Sequence, residues 1–360
     1  MNSIILFEDD ISRRDQIHKA LSRSVDKNVK IKLIDGEIDF QRNITYESLI
    51  KDMLSEIKPG EALIVCDKDL SGLGKFLGLS GTVVAAVADE LGFPICLYAR
   101  GTGEQEGEEF LRSLSPWEKK RIILDSRDVE TLVAQSLNLF KGFQWINNEY
   151  RDLSLAQASS PPKALANLLG VPEVEEQIAL YGSGEQGLLE EIMPFIGDNH
   201  ASSKANITGR MVRVLGNWLY TSILRFPGLL VNQIAAASYL NINVDAFKDD
   251  SVQDLFKIAQ YNGPFSGANN KYWWRHKLDD LLLEEKCPDG NAYANYKGKK
   301  VDPCLDEVTN TEAGYYCMVT RKPVSAENSK GGISWFPAGA NLSRIRIDKF
   351  DELAPWLGLY

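Results

Sequence analysis

Short apolar runs alternate with amphipathic stretches along residues 1–126. SIILF (3–7), VKIKLI (29–34), EALIVCD (61–67), FPICLYA (93–99) and RIILD (121–125) are rich in Ile, Leu and Val without strict alternation. That is the pattern of strands buried on both faces of a parallel sheet. Helical spacing fills the intervals at 11–24, 45–57, 79–91 and 105–115. The repeat predicts a (βα)5 unit of the α/β class with a doubly wound open sheet.

Residues 127–152 carry one helical stripe, Val129, Val133, Leu137, Phe140, Phe143, Ile146 and Tyr150. The stripe is too long for the closing helix of one small domain and predicts a helix that projects onward. LSLAQASSPPK (153–163) breaks the pattern with Ser and Pro and reads as a linker. Beyond it, helices are predicted at 202–226, stopped by Pro227, and at 229–240, 252–261 and 272–285. Turn residues dominate from Cys287 on, with three short strands expected at 314–320, 332–336 and 343–347. The predicted organisation is an α/β domain over 1–135, a long helix and Ser/Pro linker over 136–163, and a mostly α-helical domain with a small β element at its C-terminus over 164–360.

Composition narrows the function classes. The 360 residues are 44% hydrophobic and 25% charged, as in ordinary globular proteins, and the formal charge is −10. That balance argues against long-range steering toward nucleic acid. No run of 18 apolar residues exists, so no membrane partner is expected. MNSIILFEDD lacks the basic and long apolar regions of a signal peptide. Cys66 and Cys96 lie inside apolar runs, as small buried residues do, and a reducing, cytoplasmic location fits the cysteine usage.

In a doubly wound sheet, ligands bind beyond the carboxyl ends of the strands. Glu8, Asp9 and Asp10 follow the first predicted strand, and Asp67 ends the third. In a flavodoxin-like order these two strands are neighbours, which brings four carboxylates to one spot. Such groups repel and raise one another's pKa unless a cation sits among them, and oxygen ligands suit Mg²⁺. The plainer account is that Asp9 or Asp10 simply caps the helix 11–24.

IILFEDD followed by a helix resembles the first strand and acidic pair of response-regulator receiver domains. ALIVCDKDLSG resembles their third strand and the turn after it, with Ser71 at the usual proline, and FPICLYARG resembles their fourth strand. The resemblance covers residues 1–135 only. It implies that Glu8 and Asp9 hold Mg²⁺, that Asp67 is the phospho-acceptor, and that the backbone of Asp69 is a further ligand. Two switch positions depart from the family. Tyr98 stands where receivers carry Thr or Ser, and Asp125 or Ser126 where they carry a Lys that neutralises the phosphoryl charge. A dianionic phosphoryl group beside Asp125 would be repelled. The implied function is an atypical or pseudo-receiver of a two-component phosphorelay. It would control the C-terminal output domain through protein–protein contacts, with self-association through the long helix.

The C-terminal half carries weaker signals. Lys204, Arg210, Arg213, Arg225, Lys248, Lys257, Lys271, Arg275 and Lys277 form a local basic excess, and LVNQIAAASYLNINVDAF has the look of a helix-turn-helix with a three-strand wing. That gives DNA binding as an alternative, although few side chains there suit base edges. A second alternative is a receiver-gated effector enzyme with a pocket near Tyr272–Arg275 or Asn269–Asn270. The aromatic–basic cluster Tyr272, Trp273, Trp274 and Arg275 would stack on a ligand or fill core. Cys287, Cys304, Cys317 and His276 have zinc-type donors but no paired knuckle, so unrelated thiols are the plainer account. SKGGISW (329–335) and GSGEQG (182–187) lack the context of phosphate-binding loops.

Overall fold

A computed structural model describes residues 1–34, 45–71, 79–99, 121–152, 160–182 and 204–353. The helix expected at 105–115, residues 153–159 of the linker and residues 183–187 of GSGEQG lie outside them. The chain packs as two compact units. The first takes the described residues up to Gly170 together with 204–218. The second takes 171–182 and 219–353.

The first unit is built on a parallel five-stranded sheet of order β2-β1-β3-β4-β5, formed by β1 (Ser3–Phe7), β2 (Lys30–Ile34), β3 (Ala62–Asp67), β4 (Ile95–Tyr98) and β5 (Ile122–Leu124). All five expected strands are present, in the order of a flavodoxin-like α/β sheet. Central β3 is buried along its whole length, which is why ALIVCD needs no polar face. Ile5, Phe7, Ile64 and Cys66 pack with Leu49, Ile50 and Leu54 of α2 (Tyr46–Leu54) and Val84, Ala85 and Ala88 of α3 (Gly81–Leu91). Helix α1 (Ile11–Ser24) packs against α4 (Val129–Asp152), which lies on β3 and β5. Asp10 caps α1 by accepting from the Arg13 amide at 3.1 Å, and Thr45 caps α2 at the Ser48 amide.

Helix α4 has 24 residues, which at 1.5 Å each is about 36 Å. It outruns the sheet. Ser160 caps α5 (Pro161–Leu168), so the Pro–Pro pair opens a helix instead of ending the linker. Proline at the first helical position loses no hydrogen bond, and its fixed φ suits the turn. The excess length of α4 is covered by α6 (Lys204–Trp218). A Cβ on Gly216 would overlap the Phe143 ring, and one on Gly209 would overlap Pro59. Arg213 pairs with Asp89 at 3.0 Å, Arg121 pairs with the same carboxylate, and Arg210 donates to the Glu90 carbonyl. Gly60 and Gly92, both near α6, precede β3 and β4. Helix α6 therefore lies at the edge where the strands begin, away from their carboxyl ends. Packing thus assigns 204–218 to the first unit, whereas the sequence pattern groups everything beyond 164 together.

The second unit mixes short helices with two sheets. One is antiparallel, β6 (Leu230–Asn232), β8 (Tyr272–Trp274) and β7 (Gln260–Tyr261) in that order across the sheet. The other has order β10-β9-β12-β11, with β9 (Tyr315–Cys317), β10 (Pro323–Val324), β11 (Ser329–Lys330) and β12 (Ser343–Arg346). Several expected helices are corrected. The helix at 202–226 turns into a π-helix at Leu219–Ile223, and 229–240 opens as strand β6 before α7 (Gln233–Tyr239). At 252–261 a short α-helix, Asp250–Gln253, runs on as a 3₁₀ segment, Asp254–Ala259, into β7. Residues 272–274 are strand β8, and only Arg275–Glu284 is helix (α8). The strand expected at 332–336 is a turn, and Ser329–Lys330 pairs in its place. At 230–232 and 272–274 the short apolar run is read by a distant partner strand, which local periodicity cannot show.

Tyr181 holds the loop at the start of β6. Its hydroxyl donates to the Phe226 carbonyl at 3.0 Å and accepts from the Leu229 amide at 2.9 Å, fully buried. Tyr181→Phe is expected to cost about 1–3 kcal/mol, because two buried backbone groups lose their partner. A denaturant midpoint unchanged from wild type would refute this.

Candidate functional site

The carboxyl ends of β1 and β3 meet, since Phe7 pairs with Cys66 and Asp67 pairs with Tyr98 of β4. Glu8, Asp9 and Asp67 each offer a carboxylate oxygen within 4.8 Å of the others. Glu8 and Asp67 are buried and Asp9 is half-buried. Among the described residues no other group of three or more His, Cys, Asp or Glu side chains converges in this way. Asp10 is not in the group, because its carboxylate caps α1.

The two buried acids are held by local backbone. Glu8 Oε1 accepts from the Asp10 amide at 3.0 Å, and Asp67 Oδ1 accepts from the Asp69 amide at 3.0 Å. The Asp69 side chain turns outward to the Ser71 amide. Gly81, the first residue of α3, donates to the Lys68 carbonyl, and a Cβ there would overlap the carbonyl oxygen of Asp67. The tight approach fixes the end of β3 against α3.

Tyr98 is fully buried, and its hydroxyl donates to Glu8 Oε2 at 3.0 Å. Burial, then the neighbouring Glu8 and Asp67 charges, push its phenol far above the ordinary tyrosine range. It stays protonated and acts as a fixed donor. Arg13 of α1 approaches the same oxygen, Nε to Oε2 at 3.5 Å, lies 5.7 Å from the centre of the Tyr98 ring, and donates to the Ser126 carbonyl at 3.0 Å. Arg13 carries no sequence motif; its helical position, one turn past the Asp10 cap, is the only signal the sequence offers.

At the end of β5, Asp125 pairs with exposed Arg127 through both carboxylate oxygens. Ser126 is buried and donates to the Ala99 carbonyl. Neither supplies the positive charge that a receiver's lysine would. A cavity of about 210 Å³ opens beside this strand end, lined by residues that include Asp10, Arg13, Gln16, Arg127 and Asp128.

The donor set suits a hard divalent cation: three carboxylates, no sulfur and no imidazole.

No protein-family model, curated protein or solved structure matches this chain.

The second unit's expected sites do not assemble. Cys304 and Cys317 are buried free thiols, and Cys317 Sγ accepts from the amides of Thr320 and Arg346 instead of facing a metal. His276 stacks near Trp274. Trp273 and Trp274 are both buried, with Trp273 against Phe247 and Trp274 against Tyr261, so the cluster fills core. Phe336 packs on Phe226. The helix-turn-helix expectation also fails in geometry. Helix α7 spans seven residues with Ala235, Ala236 and Ala237 buried, and beyond it come only a 3₁₀ turn, Ala246–Lys248, and a four-residue helix, Asp250–Gln253, that runs on as 3₁₀. A recognition helix needs several exposed side chains along one face. Among the described residues no helix is long and apolar enough to cross a membrane.

Proposed function

We propose that the first unit is a pseudo-receiver: a regulatory module that keeps the divalent-cation pocket of a response-regulator receiver without its phosphoryl switch, and that acts through contact with a protein partner to control the output of the chain. The observation that carries the reading is the meeting of Glu8, Asp9 and Asp67 within 4.8 Å at the carboxyl edge of a sheet ordered β2-β1-β3-β4-β5. Glu8, Asp9 and Asp67 would hold Mg²⁺, with the backbone of Asp69 adjoining. Bound there, the ion would offset the mutual repulsion of the three close carboxylates.

The chain's own residues argue for a silent switch. Tyr98 is buried beside Asp67 on the neighbouring strand and spends its hydroxyl on Glu8. Asp125 places a negative charge, paired with Arg127, at the strand end where a phosphoryl group would need a cation. Intact mass after incubation with acetyl phosphate and Mg²⁺ tests this, with Asp67→Asn as control. The expected result is no added phosphoryl group on either protein. A gain on wild type that Asp67→Asn abolishes would replace the pseudo-receiver with a working phospho-switch.

A further inference from the structure

Glu8 already has a cation beside it. The Arg13 guanidinium lies 3.5 Å from Glu8 Oε2, and its other arm reaches the Ser126 carbonyl at 3.0 Å. Arg13 is four-fifths buried and Glu8 wholly so, which leaves little water to screen the pair. Ser126 and Asp128 form the short approach to α4, and Asp128 begins that helix by accepting from the Thr131 amide and hydroxyl. One side chain on α1 therefore links the acidic site to the start of the 24-residue helix α4.

We propose that Arg13 is a built-in counter-cation that competes with a divalent metal ion for Glu8, so that the acidic site is a charge switch whose metal-free state is locked by α1. The inference rests on the reading of Glu8, Asp9 and Asp67 as a cation site. A divalent ion on Glu8 and a guanidinium 3.5 Å from the same carboxylate repel each other. One must leave. Arg13 has somewhere to go: it borders a cavity of about 210 Å³ whose lining includes the acidic residues Asp10 and Asp128. Moving off Glu8 breaks the two-point link that Arg13 makes between Glu8 and the Ser126 carbonyl, and so loosens the tie between the acidic site and the segment that leads into α4. Metal occupancy is thereby converted into the order of residues 125–131.

The test is calorimetric titration of the full chain with Mn²⁺ alone, comparing wild type, Arg13→Gln, Arg13→Lys and Asp67→Asn. Removing a competing charge shifts such an equilibrium by about tenfold or more, so Arg13→Gln is expected to bind Mn²⁺ at least that much more tightly than wild type. Arg13→Lys, which keeps the charge but loses the two-armed reach, should fall between them. Amide exchange over 125–131 should speed up when wild type takes Mn²⁺ and be fast without metal in Arg13→Gln. Wild type binding Mn²⁺ while neither Arg13 variant binds it more tightly would overturn the inference and leave the cation site standing. No binding by wild type or either Arg13 variant, or equal binding by Asp67→Asn, would instead remove the cation site itself.

Discussion

Asp306→Ala is expected to lower the stability of the second unit by about 3–5 kcal/mol, among the largest single-residue effects in the molecule. Asp306 is buried at 2% exposure. Its carboxylate accepts from the Ser325 amide at 2.8 Å, the Val308 amide at 2.9 Å and the Asn328 side-chain amide at both oxygens. Truncation leaves those donors without a partner in a site too closed for water to replace it. Burial alone would raise the Asp306 pKa, but the amide donors of Ser325 and Val308 and the side chains of Asn328 and Ser325 outweigh it and hold the carboxyl below its usual range. That depression sets the sign of the pH dependence. A carboxyl depressed in the folded state contributes its full stability above the unfolded value, about 4, and loses it as pH falls through the lower folded value. Wild type should therefore lose stability across that acid window, and Asp306→Ala should show a flatter acid limb. Denaturant midpoints measured from pH 7 down to pH 3 check both. Equal acid limbs would mean that Asp306 is not the titrating group.

Gly81→Ala is expected to damage both the fold and the site of the first unit. The added methyl meets backbone on two sides, overlapping the Asp67 carbonyl oxygen and lying 3.0 Å from Lys68 Cα. Neither neighbour is a flexible side-chain tip. Asp67 is fixed in the buried central strand, and Gly81 is fixed by its own bond to the Lys68 carbonyl. Overpacking of this kind costs about 1–3 kcal/mol. Relief by moving α3 off β3 would also carry Asp67 away from Glu8 and Asp9. The variant should melt lower and bind Mn²⁺ more weakly than wild type. Loss of thermal stability with unchanged Mn²⁺ affinity would show that the strand end does not depend on this contact.

The two predictions fall on opposite sides of what a linear pattern can reveal. Asp67 is legible: an acid ending an apolar run points to the carboxyl edge of a buried strand. Asp306 is not. It sits in a polar, turn-rich stretch, and apart from the Val308 amide its carboxylate's partners lie 19 and 22 residues away. Nothing in its local spacing separates it from an exposed loop aspartate. The same contrast holds for secondary structure. SIILF and ALIVCD are long enough for their composition to declare a buried strand. LVN at 230–232 and YWW at 272–274 are not, and they become strands because each pairs with the other across some forty residues of chain.

The local and periodic features of this protein are written in its linear pattern. They are the alternation of buried strands and amphipathic helices in the first unit, the cap that starts α1, and the placement of Glu8, Asp9 and Asp67 at strand ends. Hydrophobic period and chain direction dictate these without knowledge of partners. Three-dimensional packing settled everything else. It set Arg13 and Tyr98 on Glu8, laid α6 along the edge where the strands begin, and enclosed Asp306. Each of those depends on close approach between segments far apart in sequence, where burial makes a single charge or methyl group costly, and no local pattern records which segments will meet.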